Sequence, residues 1–201
     1  MIDCGIAKLT LAGEMESGDL HLVKPLRTGV LVAVVDGLGH GAEAALAART
    51  AVAVLDRHAG ESVLTLLQQC HEGLAGTRGV VMSLAVFDRA DRSMTWLGVG
   101  NVEGVLVYGD RKKARRARTT LIPRGGIVGS DLPRLRAEVI SLTVGDTLIF
   151  ATDGIKSGFT DGLPADAPPQ RLADHILAGY GKGTDDALVL VARYTGAGAH
   201  G

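Results

Sequence analysis

Aspartates stand at the ends of the most apolar runs of this chain. Residues 30–35, six consecutive apolar side chains, end at Asp36-Gly37, and residues 147–152 end at Asp153-Gly154. Asp185-Asp186 directly precedes a third run, 187–194, and Ser17-Gly18-Asp19 introduces a fourth stretch at 20–23. A buried strand holds an acid rigidly, and a glycine beside it lets a ligand approach the backbone. Acids at several strand ends can converge on one edge of a sandwich. Clustered carboxylates repel one another, and a hard divalent cation bound through oxygen relieves the repulsion. Two such ions can activate a water and clamp a phosphoryl oxygen. Any one Asp-Gly pair is ordinary turn chemistry, so the signal lies in the ordered set and its shared context.

The elements that must position these acids follow from the hydrophobic pattern. A first strand lies within 4–15, and 20–23 returns after the Ser17-Gly18-Asp19 turn as its hairpin partner. Residues 29–36 form the opening strand of the acid cluster. Residues 41–58 repeat apolar positions at helical spacing, and a second helix covers about 62–74. Residues 80–87, 93–99 and 104–108 read as a meander of short strands, with weaker strands at 118–122, 127–128 and 136–142. A strong strand at 147–152, a helix at about 170–177 opened by Pro168-Pro169, and a final strand at 187–194 complete the order. This order lacks the strict strand–helix alternation of a doubly wound sheet and fits an α+β plan of antiparallel sheets with helices outside. Residues 1–195 are expected to form one domain, and the Gly- and Ala-rich tail, 196–201, to be disordered.

Taken together, Ser-Gly-Asp19, Val-Val-Asp36-Gly37-Leu-Gly-His-Gly, Gly-Val-Gly-Asn101, Ala-Thr-Asp153-Gly154 and Gly-Thr-Asp185-Asp186 resemble the ordered motifs of the metal-dependent PPM (type-2C) serine/threonine protein phosphatases. The resemblance is to their small bacterial branch, typified by the stressosome phosphatase RsbX. It implies a four-layer α/β/β/α sandwich with helix pairs outside. It also implies two Mn²⁺ or Mg²⁺ ions. Asp36 would bridge them, the Gly37 carbonyl would bind one, Asp153 and Asp185 would hold the other, and Asp19 would act through metal-bound waters. A water acidified between the ions would attack the phosphorus of a phosphoserine or phosphothreonine. The implied substrates are phosphorylated STAS-domain proteins of the stressosome.

The chain also departs from that family. Leu38 stands where larger members carry a histidine proposed as general acid, and His40 comes two positions later. His40 could cap the helix start or donate a proton, and the capping role is favoured. No arginine precedes Asp19 closely, the last motif reads Asp-Asp-Ala-Leu, and the short chain leaves little room for a substrate-covering flap.

Two other function classes fit parts of the sequence. Gly37-Leu-Gly39-His-Gly41-Ala42 matches a dinucleotide-binding fingerprint with Asp56 about 20 residues downstream, but the segment around Asp56 reads as helix and no further βα units follow. A non-catalytic module that binds a phosphorylated or STAS-like partner is the other, and the presence of all four acids argues against it. A basic run at 111–118 contains six Lys or Arg residues. It reads as a solvated hairpin loop, with docking of an acidic protein partner as the second choice.

Bulk properties agree with a globular enzyme. The 201 residues carry a net charge of −1, with 3% aromatics and 28 glycines, so aliphatic side chains must fill the core. The near-neutral charge is not that of a nucleic-acid or anionic-membrane binder. No apolar run reaches the roughly 18 residues a spanning helix needs, and the N-terminus lacks the zones of a signal peptide. Cys4 and Cys70 show no metal-ligand spacing and read as reduced thiols. The expectation is a cytoplasmic monomer that binds neither nucleic acid nor membrane.

Overall fold

The structure is a computed structural model that describes residues 1–109, 117–164 and 166–196. Ten strands and three helices follow one another among these residues: β1 (Ile2–Leu9), β2 (Asp19–Pro25), β3 (Gly29–Gly37), α1 (Ala42–Arg57), α2 (Val63–Gly73), β4 (Val80–Asp88), β5 (Ser93–Val99), β6 (Glu103–Val107), β7 (Arg118–Leu121), β8 (Glu138–Ser141), β9 (Thr147–Ala151), α3 (Pro169–Tyr180) and β10 (Ala187–Tyr194). They build two five-stranded sheets, ordered β1-β10-β9-β6-β7 and β2-β3-β4-β5-β8. Every pairing of named strands is antiparallel. No described helix is long and apolar enough to cross a membrane.

Strand periodicity sets the layers. Side chains alternate between faces along a strand, and β3 is buried on both. Leu31, Ala33 and Val35 pack on α1 and α2 with Leu55, Leu66 and Leu67. Val30, Val32 and Val34 face the other sheet, meeting Leu148, Phe150, Leu188 and Leu190. On the far face of that sheet Ile149, Val189 and Val191 pack on Leu172 and Ile176 of α3. The result is the expected α+β four-layer α/β/β/α sandwich. One detail of the expectation changes: among the described residues a helix pair covers one sheet, and the single helix α3 covers the other.

Local sequence explains the element ends. Ser62 caps α2 by accepting from the Thr65 N–H at 3.2 Å, as Ser does at helix starts. Pro169 opens α3, where its missing N–H costs nothing. The expected hairpin of the first two strands does not form. β1 pairs with β10 and β2 with β3, in different sheets. The intervening loop crosses between the sheets because Asp186 anchors both of its ends, accepting from Leu11 N at 2.8 Å and Gly18 N at 2.7 Å. The expected meander likewise breaks after β5, and β6 joins the opposite sheet beside β9. Antiparallel pairing also removes the dinucleotide-binding reading, which needs a parallel βαβ unit. Asp56 lies on α1 and forms an ion pair with Lys24 at 2.7 Å. Cys4 and Cys70 are free thiols. Most of the basic run, and the tail beyond residue 196, lie outside the described residues.

Candidate metal centre and active site

The same periodicity that builds the inter-sheet core delivers the acids. Even-numbered residues of β3 face the opposite sheet, so Asp36 continues the row Val30, Val32, Val34 to its end. On β10 the inter-sheet row Leu188, Leu190, Ala192 extends back to Asp186, and on β9 the row Leu148, Phe150 extends on to Thr152. Asp19 lies directly opposite Asp36 across the β2–β3 pair. The hydrophobic layer between the sheets therefore ends in polar groups at one edge: Asp19, Asp36, Thr152 and Asp186, with Asp153 and Asp185 one residue from it.

Hydrogen bonds fix several of these carboxylates. Thr152 donates its hydroxyl to Asp19 Oδ2 at 2.7 Å and accepts from Leu188 N at 2.8 Å. Asn101 donates its amide to Asp153 Oδ2 at 3.0 Å. Asp186, only 4% exposed, has both oxygens taken by the Leu11 and Gly18 backbone. Asp185 Oδ1 accepts from Asp186 N at 2.9 Å.

Two glycines let the strand ends come this close. A Cβ on Gly37 would stand 2.2 Å from the Ala44 carbonyl oxygen of α1, and one on Gly154 would stand 1.9 Å from the Asp186 carbonyl oxygen. Real Cβ atoms do not make such contacts. The glycine after each aspartate therefore serves close packing of strand end on neighbour, beyond any freedom it gives the chain.

The electrostatics at this edge are those of buried, crowded acids. Asp36 is pushed up to about 8, first by burial and then by the charges of Asp19, Asp153, Asp185 and Asp186. Asp19 is pushed up to about 7 by burial and by Asp186, Asp153 and Asp185, against the lowering effect of the Thr152 hydrogen bond. Both carboxyls resist ionising because burial, and then their negative neighbours, disfavour the charged form. The mutual effects put Asp19, Asp36, Asp153 and Asp185, the expected ligands, close to one another. Among the described residues no three acidic, His or Cys side chains are placed together so as to hold a metal ion. The acids instead form an oxygen-rich rim, whose chemistry fits hard divalent ions that keep several water ligands.

His40 differs from the expectation. It does not cap α1, whose N-cap is Gly41 with φ 77° and no side-chain bond. Instead His40 lies 64% exposed with Nδ1 2.6 Å from Glu14 Oε1. Glu16 meets Arg49 of α1 at 2.7 Å, so two contacts strap the 10–18 loop across the start of α1. Arg78, unremarked in the sequence, reaches over the same glycine loop. It pairs with Glu43 at 2.5 Å, and its guanidinium would stand 2.8 Å from a Cβ on Gly39. Thr152, Asp186 and Asn101 also gain roles that their types alone did not announce. The row alternation of β9 and β10 was the available signal for the first two.

A four-layer sandwich carrying these acids on one inter-sheet edge defines a phosphoprotein phosphatase of the PPM type. The chain belongs to the Stage II sporulation protein E (SpoIIE) family, whose family model matches residues 27–195. It is similar to the phosphoserine phosphatase RsbX of Bacillus subtilis (strain 168), with 23% identity over 150 residues, covering 75% of this chain and 73% of RsbX. Among solved structures, a chain from work on the bacterial stressosome as a modular system adapted to control secondary messenger signaling superposes with a TM-score of 0.85. It is 31% identical, and the match covers 96% of this chain and 100% of that one. RsbX in complex with magnesium superposes with a TM-score of 0.81 at 20% identity, covering 96% of this chain and 94% of RsbX. The enzyme is thus an RsbX-like serine/threonine-type phosphatase of a metal-dependent family.

Proposed function

We propose that the chain is a cytoplasmic phosphatase acting on phosphoserine or phosphothreonine in STAS-domain proteins of a stressosome. The observation that carries the chemistry is the convergence of Asp19, Asp36, Asp153 and Asp185 at one sheet edge, with Asp19 and Asp36 both pushed well above the usual carboxylate range. Asp36, Asp153, Asp185 and the Gly37 carbonyl would hold two divalent ions, Mn²⁺ or Mg²⁺, with Asp19 reaching them through water. When bound, such ions acidify a water and neutralise developing charge on the phosphoryl oxygens. The remaining work falls to the protein. Thr152 orients Asp19, Asn101 orients Asp153, and Asp186 pins the loop that places Gly18 and Asp19. The apolar inter-sheet layer beneath keeps water from reaching the acids from below. His40, exposed and held by Glu14, is given no catalytic role in this reading.

The likeness to RsbX and to a chain studied with the stressosome supports the substrate class. The test is a phosphatase assay with Mn²⁺ or EDTA, using phosphorylated STAS-domain proteins and p-nitrophenyl phosphate. Release of phosphate from both in Mn²⁺, lost in EDTA and in a folded Asp36→Asn variant, is the expected result. Near-normal turnover by that variant would overturn the mechanism. Turnover of the aryl phosphate without the STAS proteins would overturn only the substrate.

A further inference from the structure

Two segments cross from one sheet to the other at the edge that carries the acids. The first is the 10–18 strap, which leaves β1 at Leu9 and enters β2 at Asp19. The second leaves β7 at Leu121, opposite Gly104, and reaches the other sheet at Arg124, which bridges Val99 of β5. The acids lie between them, since Asp19 and Asp36 stand on β2 and β3, and Arg124 lies beyond β5. Both crossings are held by residues of the site. Asp186 accepts from Leu11 N and Gly18 N near the two ends of the strap. Arg124 N donates to the Gly98 carbonyl at 2.9 Å, and Gly100 N donates to the Arg124 carbonyl at 2.7 Å. Asn101, the next residue, holds Asp153. Pro123 packs so closely on this loop that a Cβ on Gly98 would stand 2.9 Å from the proline Cβ.

Each crossing holds out an apolar side chain. Among the described residues the two most exposed large hydrophobics are Met15, 99% exposed, on the strap, and Ile122, 78% exposed, on the second crossing. Backbones pinned this firmly keep both side chains in water at fixed places beside the acids. Glu14 and Glu16, on either side of Met15, are already engaged by His40 and Arg49, so the thioether is what this part of the strap offers. Methionine is flexible and polarisable and suits binding surfaces. We propose that Met15 and Ile122 are two anchor points for a folded phosphoprotein substrate, which lays apolar surface on both crossings while its phosphorylated side chain enters between them. The inference rests on the phosphatase reading above and adds to it how a protein substrate is recognised. Four strand spacings of about 4.8 Å, from β2 to the Arg124 segment, put the crossings roughly 20 Å apart. One face of a folded domain spans that distance, within the patch of about 800 Å² that each partner gives to a standard interface. An aryl phosphate, or a phosphopeptide of a few residues, reaches the acids without covering either side chain.

The experiment compares three substrates with Mn²⁺: a folded STAS-domain protein phosphorylated on threonine, a short phosphothreonine peptide copied from its phosphosite, and p-nitrophenyl phosphate. The wild type is expected to favour the folded protein over its peptide about 100-fold in kcat/KM. Met15→Ser and Ile122→Ser should each lower kcat/KM for the folded protein about tenfold, through KM, as loss of one apolar anchor allows. The two sites are far apart, so the losses should multiply in the double variant and bring the folded protein down to its peptide. Turnover of the peptide and the aryl phosphate, and thermal melting, should stay at wild-type values, because both side chains are exposed. Met15→Leu and Ile122→Val should keep the preference. Added salt should leave it in place, which separates apolar docking from attraction between charges. Calorimetric binding of the folded phosphoprotein in EDTA reads the contact without turnover, and the double variant should bind it more weakly by the same factor. A folded protein hydrolysed no better than its peptide, or a preference undiminished in the double variant, overturns the docking, and Mn²⁺-dependent turnover of the aryl phosphate then leaves the phosphatase reading standing. Binding that depends on Met15 and Ile122 in a chain that hydrolyses none of the three would overturn the phosphatase reading and leave the docking surface intact.

Discussion

Asp19 and Asp36 face one another directly across the antiparallel β2–β3 pair, two acids in a register position where like charges repel. Neither cross-strand partner can relieve the other. The fold spends stability to bring them together, and a divalent cation bound between them would return it.

This arrangement sets the pH dependence of the metal-free protein. Asp36 is pushed up to about 8 and Asp19 to about 7, whereas an unfolded Asp ionises near pH 3.9. Between these limits the folded chain holds protons that the unfolded chain has released. The associated stability is fully present below about pH 4 and is lost as pH rises toward 8. In EDTA, the melting temperature should therefore fall from pH 5 to pH 8. Asp36→Asn should flatten that fall and exceed the wild type at pH 8 by on the order of 2 kcal/mol. Adding Mn²⁺ should raise the melting temperature of the wild type but barely move the variant. Parallel pH profiles for the two proteins would contradict the assignment.

Thr152 carries the second prediction. Its hydroxyl donates to Asp19 and accepts from Leu188 N, joining the acid edge to the start of β10. Thr152→Val keeps shape and removes both bonds, leaving a buried N–H unpaired at a cost of about 1–3 kcal/mol. With Asp19 no longer oriented, metal affinity should drop about 10- to 100-fold, the usual effect of losing a group that positions a ligand. Thr152→Ser should restore most of both. Calorimetric Mn²⁺ titration of the three proteins, beside their denaturation midpoints, decides it. Unchanged affinity in Thr152→Val would show that Asp19 does not depend on this bond.

Much of this site was readable because two periodicities ended at the same place. The run 30–35 announced a buried strand, and Asp36, Asp153 and Asp185 could be assigned to strand ends without coordinates. Local patterns could not say which strands pair. The 10–18 loop looks like a hairpin turn in sequence, yet it crosses between sheets because Asp186, some 170 residues away, binds both of its ends. Long-range bonds of that kind leave no local trace. His40 shows the same limit. Its place before α1 suggested a cap, but Gly41 takes that position, and the imidazole goes to Glu14 on the strap.

The adjacent pair Asp185-Asp186 gives the third prediction, because neighbouring carboxylates face different tasks. Asp185, half-buried, accepts among the described residues only the N–H of the residue after it and remains available to the rim. Asp186 is buried, and its two oxygens already hold Leu11 N and Gly18 N. Asp185→Asn should therefore lower Mn²⁺ affinity and phosphatase turnover by at least about 10-fold while changing stability by less than about 1 kcal/mol. Asp186→Ala should show the opposite balance. Two buried or half-buried N–H groups lose a charged acceptor, costing about 2–4 kcal/mol, and the 10–18 strap should become open to proteolysis between residues 11 and 18. Saturating Mn²⁺ should restore activity to folded Asp186→Ala but not to Asp185→Asn, since only the latter lacks an oxygen at the rim. Metal titration, limited proteolysis and unfolding midpoints on both variants would separate the roles. If Asp186→Ala proved fully stable with its strap protected, the loop would have to be held by its contacts with His40 and Arg49 instead.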